Sequence, residues 1–246
     1  MNLILLDEEA RHVRWKGDDR RAVHVRKVLR LGVGASFFVG VGNGRIGKAR
    51  ILEDGEAGMV LETDLGLEPP APLPVHLLVG LPRPQTARRL LREIPSLGAA
   101  QVTFFLAGKS EPSYRSSKLW STHEWKQHLH DGVEQAFTTH IPKVDHADSL
   151  AEAVQAPGSG GRIAFDLYEA ARAFEKDSVL GVDRLALAFG PEGGWTPAER
   201  DILRAEGFAL CVLGPRVMRV ETAIVAATSL AASHLGRLDP PLVPGS

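Results

Sequence analysis

The sequence predicts an α/β protein in which a small β-rich domain precedes a larger α/β domain. Residues 1–68 contain short strand-like segments separated by glycine turns. The stretch LEPPAPLP at residues 67–74 cannot continue a central strand or helix, because it carries four prolines, and it therefore indicates a linker. Beyond it, apolar strands alternate with amphipathic helices, which is typical of parallel βαβ units. We divide the chain into domains of residues 1–70 and 71–246.

The N-terminal domain combines β character with concentrated positive charge. Its strand-like segments are residues 36–41, 45–53 and 58–64. HVRKVLRL at residues 24–31 has its apolar side chains on one helical face, so we expect a short helix that feeds a small barrel. Between Arg11 and Arg30 there are eight arginines or lysines against two aspartates. Such a run is often only a solvated helix face, but on a chain of formal net charge −1 it favours a phosphate-binding surface.

The C-terminal domain repeats strands and helices along its length. The predicted strands are residues 75–81, 101–108 and 162–168, and the predicted helices are residues 83–98, a short helix near 149–155 and a helix turn at 169–176. Ser121 and Glu124 form a capping-box pattern, so we expect a further helix from there to about Phe137. This alternation predicts a parallel sheet with helices packed on it.

Two strand–loop–helix passes near the C-terminus carry the strongest functional signal. The first runs LALAF, GPEGGW and then a helix for which Thr196, Pro197 and Glu199 supply the N-cap, first and third positions. The second runs FALCVL, GPRVMRV and then ETAIVAATSLAASHL. Ligands of open α/β sheets bind outside the carboxyl ends of the strands, where both loops fall. Tight turns alone would also explain the glycines, and neither loop has the spacing of a Walker or dinucleotide motif.

The second loop carries charges that a helix start does not need. Arg216 and Arg219 precede the helix, where cations oppose the positive end of the helix dipole. These arginines require an anion, either a carboxylate of the protein or a phosphate of a ligand. Glu221 and Thr222 follow them, and both residues would also serve the helix start itself.

Composition excludes several classes of protein. Cys211 is the only cysteine and lies in an apolar run, so we interpret it as a small buried hydrophobe and expect a reducing, cytoplasmic location. We expect no signal peptide, and no run of ~18 apolar residues predicts a membrane span. The histidines are scattered, with His123, His128 and His130 expected on a solvated helix, and no metal-ligand spacing is present.

Four motifs together carry a resemblance to a known family. GPEGG, LGPRVMRVETA, EQAFTTHIP and HVRKVLRL cover nearly the whole chain. The chain resembles the RsmE family, the 16S ribosomal RNA uridine-N3 methyltransferases of the SPOUT superfamily. The resemblance implies a PUA-like β-barrel followed by a SPOUT-type α/β domain with a C-terminal trefoil knot. It also implies bound S-adenosylmethionine, a homodimer, and the small ribosomal subunit with its 16S RNA as partner, without a metal or a membrane.

The resemblance also assigns residues. Under it, we expect the cofactor to be bound by Leu187, Gly190, Glu192, Gly193, Gly194, Leu213, Gly214, Met218, Thr222 and Ala223. We expect Arg219 and Glu221 to act in catalysis, with Glu192 as an alternative base. We expect RNA phosphates to be bound by Arg21, Arg26, Arg30, Arg45, Arg83 and Arg216.

The chain departs from the family pattern at Ser96, Lys109, Ala136 and Thr138. These changes bear on the target nucleotide more than on the cofactor. Two other functions remain open from the sequence. A SPOUT enzyme of this kind could methylate a ribose 2′-hydroxyl, and a non-enzymatic RNA-binding module could use the glycine loops structurally.

Overall fold

The computed structural model describes residues 3–158 and 160–238, which divide into two compact units. The first unit contains residues 3–71 together with residues 133–141. The second contains residues 72–132, 142–158 and 160–238. Residues 133–141, which we expected in the second domain, thus return to the first unit.

The first unit is built on a five-stranded sheet. Its elements are β1 (Ile4–Leu6), β2 (His12–Trp15), α1 (Arg20–His24), β3 (Ser36–Val41), β4 (Ile46–Gly55) and β5 (Gly58–Leu67). The strand order is β1-β3-β4-β5-β2, and only the β1–β3 pair is parallel. Alternate side chains of these strands form a core around the buried Trp15, Ile51 and Leu61.

The helix expected at residues 24–31 begins earlier than predicted. Asp19 caps α1, because its carboxylate accepts a hydrogen bond from the backbone N–H of Arg21 at 2.8 Å. One turn of π-helix, Val25–Leu29, then continues the chain and ends at Arg30, whose φ is 56°. Asp19 therefore starts the helix four residues before the HVRKVLRL motif.

The returning segment, residues 133–141, closes a second small core of the first unit. Val133 packs in this core with Leu3 and Ile46. The buried hydroxyl of Thr139 donates a hydrogen bond to the carbonyl of Gly44 at 2.6 Å. The EQAFTTHIP motif therefore has a structural role in anchoring this segment to the rest of the first unit.

The second unit contains a seven-stranded sheet with helices along the chain between the strands. Its elements are β6 (Leu73–Gly80), α2 (Pro84–Leu97), β7 (Ala99–Phe105), α3 (Lys118–Ser121), α4 (Glu124–Gln135), β8 (Lys143–Ala147), α5 (Leu150–Ala153), β9 (Gly161–Phe165), β10 (Arg172–Ala173), β11 (Leu185–Phe189), α6 (Pro197–Ala205), β12 (Ala209–Val212) and α7 (Val220–His234). The order is β10-β12-β9-β11-β6-β7-β8, and every neighbouring pair is parallel. The predicted parallel sheet is confirmed.

Both faces of this sheet are covered. Leu77 of β6 points into a core shared with Leu90 of α2 and Ile224 of α7. The next residue, Leu78, points to the opposite face and packs in the core that includes Leu203 of α6. This alternation explains why the strands read as continuous apolar runs. Among the described residues, no helix has both the length and the apolar character needed to cross a membrane.

Three local predictions for this unit are wrong. Ser121 is the last residue of α3, and the Glu124 carboxylate accepts hydrogen bonds from Arg88, so no capping box forms there. The expected helix turn at 169–176 contains the short edge strand β10, because its backbone pairs with β12. His128 is buried and lies 2.9 Å from Glu124.

Candidate functional site

A cleft of about 390 Å³ opens at the carboxyl ends of β6, β9, β11 and β12. These four strands are neighbours in the sheet but not in the sequence. The cleft is lined by the residues that follow β9, by the loop after β11 and by the loop after β12, with Arg83 from the loop after β6. Its position is the one at which parallel α/β sheets bind ligands, and its volume suits a small molecule.

The first glycine loop, residues 190–195, forms one wall. Gly194 has φ 68°, a backbone conformation that glycine adopts without strain. Trp195 is buried, and its indole Nε1 donates a hydrogen bond to the carbonyl of Phe165 at 2.9 Å. The predicted capping box at Thr196 and Glu199 is confirmed. The wall is thus fixed at its end by α6 and by β9.

Side chains from outside the loop hold this wall as well. The ammonium of Lys109 donates a hydrogen bond to the carbonyl of Gly193 at 3.0 Å. Lys109 is one of the departures from the family pattern, so the departure lies directly against the glycine loop. The Glu192 carboxylate accepts a hydrogen bond from the backbone N–H of Arg83 at 3.3 Å, and their side chains lie 3.6 Å apart.

The second glycine loop, residues 214–219, forms the facing wall. Gly214 has φ 115°, which side chains rarely tolerate. Arg219 takes the N-cap position of α7 without a side-chain cap. Within residues 3–158 and 160–238, the side chains of Arg216 and Arg219 make no hydrogen bond or ion pair, and both residues are exposed. The sequence left two anions open for these arginines, a protein carboxylate or a ligand phosphate. In the described part of the chain, no carboxylate pairs with either side chain.

Glu221 lies on the first turn of α7 and faces the cleft. Its side chain is largely buried, and its Oε1 lies 3.4 Å from the Nη1 of Arg89 on α2. The ion pair ties the start of α7 to α2 and fixes the direction of the carboxylate.

The loop after β9 is a third wall that the sequence analysis did not find. Asp166 is buried there, and its carboxylate pairs with Arg200 of α6. Burial alone would raise the pKa of Asp166, but the hydrogen bonds from Arg200 and from the backbone N–H of Tyr168 lower it below its usual value. The segment FDLYEA contains no glycine. Its position after a buried strand was therefore the only sequence feature that could have indicated a wall of the cleft.

Most of the residues assigned to the cofactor line this cleft. They are Gly190, Glu192, Gly193, Gly194, Leu213, Gly214, Met218 and Ala223, and the two catalytic candidates and Arg83 and Arg216 line it too. Leu187 and Thr222 are not among the lining residues. Leu187 is fully buried inside β11, whereas Thr222 is exposed on α7.

The four arginines assigned to RNA in the first unit divide into two kinds. Arg21 pairs with Asp19 and Asp7, Arg26 pairs with Asp54, and Arg45 pairs with Glu68 and Glu9. Hydrogen bonds to Asp19 raise the pKa of Arg21 above its usual value. Arg30 is exposed, and no partner for it exists within the described ranges. Local carboxylates therefore already neutralise three of the four arginines.

One other predicted feature of the site has a structural counterpart. Cys211 is buried, as expected, and this burial raises the pKa of its thiol above the usual value. Within the part of the chain that the structure describes, no group of three or more histidine, cysteine, aspartate or glutamate side chains could hold a metal ion.

The fold and the cleft first define the class of protein. An all-parallel sheet with a glycine-walled cleft and free arginines at its mouth fits an enzyme that acts on a phosphate-bearing substrate. Residues 69–232 match the family described as RNA methyltransferase domain. The match covers both walls of the cleft and the sheet beneath them.

The relatives then give the particular family. Ribosomal RNA small subunit methyltransferase E of Treponema pallidum is 32% identical over 240 residues, which cover 94% of this chain and 90% of the relative. Ribosomal RNA small subunit methyltransferase E 1 of Borreliella burgdorferi is 26% identical, with 96% and 99% covered. The chain therefore belongs to the RsmE family of RNA methyltransferases, as its motifs indicated.

Solved structures show the same fold. The enzyme of this name from Neisseria gonorrhoeae, solved with S-adenosylmethionine bound, has a TM-score of 0.80 at 20% identity, covering 95% of this chain and 97% of that one. A methyltransferase of Legionella pneumophila, also solved with S-adenosylmethionine, has a TM-score of 0.81 at 22% identity, covering 94% and 96%. These likenesses confirm the predicted SPOUT-type α/β fold.

Proposed function

We propose that this chain transfers a methyl group from S-adenosylmethionine to N3 of a uridine in 16S ribosomal RNA. One observation carries the proposal: the two glycine loops are opposite walls of a single cleft, with two unpaired arginines on one wall. The relatives named above support the small ribosomal subunit as the substrate. We also propose that the enzyme works in the cytoplasm, where ribosomal subunits are assembled.

The cleft fits the cofactor by its size and by its backbone. S-adenosylmethionine supplies an electrophilic methyl group on a positively charged sulfonium. A cleft of about 390 Å³ is large enough for a nucleoside-sized ligand. Glycines at 190, 193, 194 and 214 have no side chain, so a ligand can approach the backbone of the cleft walls there, and Met218 and Ala223 add apolar surface. We propose that these residues, with Glu192 and Leu213, bind the cofactor, while Leu187 supports the wall from inside β11 and Thr222 borders it on α7.

Arg219 and Glu221 are proposed to act on the acceptor base. The N3–H of uracil is a weak acid, and N3 becomes nucleophilic when this proton leaves. The Glu221 carboxylate, held by Arg89, would accept the proton. The guanidinium of Arg219 would stabilise the negative charge that then spreads over the ring oxygens. Glu192 lines the same cleft and is the alternative base, with its carboxylate held by Arg83 as that of Glu221 is held by Arg89.

The phosphates of the RNA require cations that are not already paired. We propose Arg216 at the cleft and Arg30 on the first unit as the main contacts, since both are exposed and unpaired in the described part of the chain. Arg83 would contribute a partly screened charge. Arg21, Arg26 and Arg45 would mainly stabilise the barrel through their carboxylates, which revises their expected role.

The resemblance also supports a homodimer. The helix α7 is apolar along most of its length, yet Leu230 on it remains 40% exposed. The exposed Leu230 side chain is one apolar contact that α7 offers to a second copy. The PUA-like character of the first unit and the trefoil knot stay predictions from the family.

Calorimetry and a transfer assay test the proposal together. We expect S-adenosylmethionine to bind the purified protein with measurable heat, and labelled methyl groups to enter small ribosomal subunits that lack the modification. A chain that binds RNA but gives no heat with S-adenosylmethionine would be the non-enzymatic module. Label on a ribose 2′-oxygen would instead support the alternative methyltransferase.

A further inference from the structure

Three exposed apolar side chains line the cleft. Tyr168 is 79% exposed, Leu167 is 38% exposed, and Val217 on the facing loop is 81% exposed. All three belong to the cleft lining. Large apolar groups gathered in water around one opening indicate a surface that is covered when a ligand binds.

The backbone beneath Tyr168 is held by hydrogen bonds, although its side chain is exposed. The buried carboxylate of Asp166 accepts hydrogen bonds from the backbone N–H of Tyr168 at 2.7 Å and of Glu169 at 3.4 Å. Arg200 pairs with the same carboxylate and, through its guanidinium, lies 6.0 Å from the tyrosine ring. This network fixes the conformation of the turn that carries Tyr168. Binding of a ligand to Tyr168 therefore costs little conformational entropy of the loop.

The charges beside this aromatic surface indicate its ligand. Arg216 and Arg219 line the same cleft, are exposed, and lack partners within the described residues. A ligand with a flat ring and a nearby phosphate suits both the aromatic side chain and the arginines, because aromatic side chains stack on bases and arginines bind phosphates. A nucleotide of single-stranded RNA has both.

We propose that Tyr168 is the stacking platform for the methyl-acceptor base of the RNA. This inference rests on the proposed function, since it names a further residue for the same reaction. A base that reacts at its edge must leave its own stack, and an exposed ring at the cleft mouth replaces the lost stacking. Leu167 and Val217 line the same cleft and would help to exclude water from the stacked base.

The adenine of the cofactor is the other flat ring that Tyr168 could contact. The exposed position of Tyr168 favours the acceptor, because the glycine walls of the inner cleft offer adenine a more enclosed site. Substitution separates the two rings. Tyr168→Ala affects the dissociation constant of S-adenosylmethionine only if the ring stacks on the cofactor.

We expect Tyr168→Ala to lower kcat/KM for small subunits about 5- to 150-fold, the range given by the loss of one base–aromatic stack. Tyr168→Phe keeps the ring and should stay within about twofold of wild type. The matched control is Leu180→Ala, since Leu180 is 67% exposed and lies outside the cleft lining. Cofactor affinity should be unchanged in all three variants. A tenfold loss of S-adenosylmethionine affinity in Tyr168→Ala, or unchanged kcat/KM, would overturn the proposal.

Photo-crosslinking gives a readout that does not need methyl transfer. Small-subunit RNA that carries 5-iodouridine is bound to the full chain, irradiated and digested with trypsin. We expect labelled RNA on the peptide of residues 163–172, which contains Tyr168, and its loss in Tyr168→Ala. Crosslinks confined to other peptides would refute the platform even if methylation proceeds. Crosslinks at this peptide without any methyl transfer would refute the proposed reaction and keep Tyr168 as a base-binding residue.

Discussion

Arg219 is the site residue whose position in the structure most favours its proposed catalytic role. It takes the N-cap position of α7, where a cation is electrostatically unfavourable, and it lines the cleft without a partner in the described part of the chain. A residue that gains nothing from its local structure is a good candidate for an interaction with substrate.

Arg219→Ala should lower kcat for methyl transfer about 100- to 1000-fold, the effect of removing one group that stabilises developing charge. Binding of S-adenosylmethionine, measured by calorimetry, should persist. Arg184→Ala is the control, because Arg184 is an exposed arginine of the same unit that does not line the cleft. Unchanged turnover in Arg219→Ala would refute the assigned role.

Asp166 tests whether the wall after β9 depends on its buried ion pair. Asp166→Asn should lower the free energy of unfolding at pH 7 by up to about 3–5 kcal/mol, because the buried Arg200 then keeps only the partly exposed Glu169 as its partner. The folded-state pKa of Asp166 lies below its usual 3.8, so its stabilisation is present above that pH and is lost as the pH falls through the folded pKa. Urea unfolding should therefore show the gap between wild type and variant closing below pH 3.8. A gap that stays constant down to pH 2 would contradict this.

Individual residues of the site differ in how well sequence could find them. The sequence motifs of the two glycine loops reflect the backbone conformation of the loops themselves, so the sequence predicted both loops. The pairing of Arg26 with Asp54 was not, because the carboxylate lies on β4, 28 residues further along the chain. Charge counts over a short window cannot detect such partners. Asp166 was missed for a similar reason, since its role depends on Arg200 of α6.

At the scale of elements, the two loops work through backbone conformation. Gly214→Ala introduces no clash, since nothing lies within 4 Å of the added Cβ, but φ 115° is unfavourable for alanine. We expect the affinity for S-adenosylmethionine to fall about 5- to 100-fold, equivalent to strain of about 1–3 kcal/mol. Gly66→Ala is the matched control, since its added Cβ also meets nothing and its φ is not in that range. Equal cofactor affinity in both variants would show that this loop does not depend on Gly214.

The sheet of the second unit contains a half-buried histidine, His76, whose lowered pKa should make stability depend on pH. Burial lowers the pKa of His76 on β6 to about 4, although the nearby Asp145 opposes the shift. The unfolded chain takes up this proton below pH 6.5, whereas the folded chain does so only below about pH 4. Stability should therefore fall by up to about 3 kcal/mol as the pH drops from 6.5 to 4.

His76→Gln should remove this part of the pH dependence, as measured by urea unfolding at several pH values. The exposed His12 of β2 provides the control variant, His12→Gln. A His76→Gln variant that still loses stability as steeply as wild type over this interval would show that His76 is not the cause.

Strands and helices were predicted correctly where the pattern of apolar residues in the sequence matches their packing in the structure. The strands β6, β7, β9, β11 and β12 were found because buried parallel strands are continuous apolar runs. The edge strand β10 was taken for a helix turn, because two residues at an edge carry no periodicity and are fixed only by pairing with β12. The cap at Ser121 failed because Arg88 and His128 hold the Glu124 side chain.

At the scale of the whole molecule, the order of the strands was beyond sequence reasoning. The cleft forms because β12, β9, β11 and β6 are neighbours, although β9 and β11 do not follow β6 directly in the chain. The return of residues 133–141 to the first unit depends on contacts with β1 and the turn before β4, far away in sequence. Only the family resemblance anticipated that motifs from both ends of the chain belong to one enzyme.

RNA binding by the intact chain should depend on unpaired cations only. Arg30→Ala should reduce the slope of log K against log salt by about one, as expected for one lost phosphate contact, and leave stability unchanged. Arg26→Ala should instead lower the melting temperature, because Asp54 loses its partner. Filter binding across a salt series and thermal unfolding separate the two effects. Equal effects on the slope would show that the ion pair does not screen Arg26.

The position of the transferred methyl group tests the proposed reaction most directly. Purified protein is incubated with labelled S-adenosylmethionine and small ribosomal subunits that lack the modification, and the RNA is digested to nucleosides for mass spectrometry. We expect the label in N3-methyluridine from 16S RNA, and none of it when Arg219→Ala replaces the wild type. Label on a ribose 2′-oxygen, label on another base, or the absence of label in the presence of bound cofactor would contradict methylation at uridine N3.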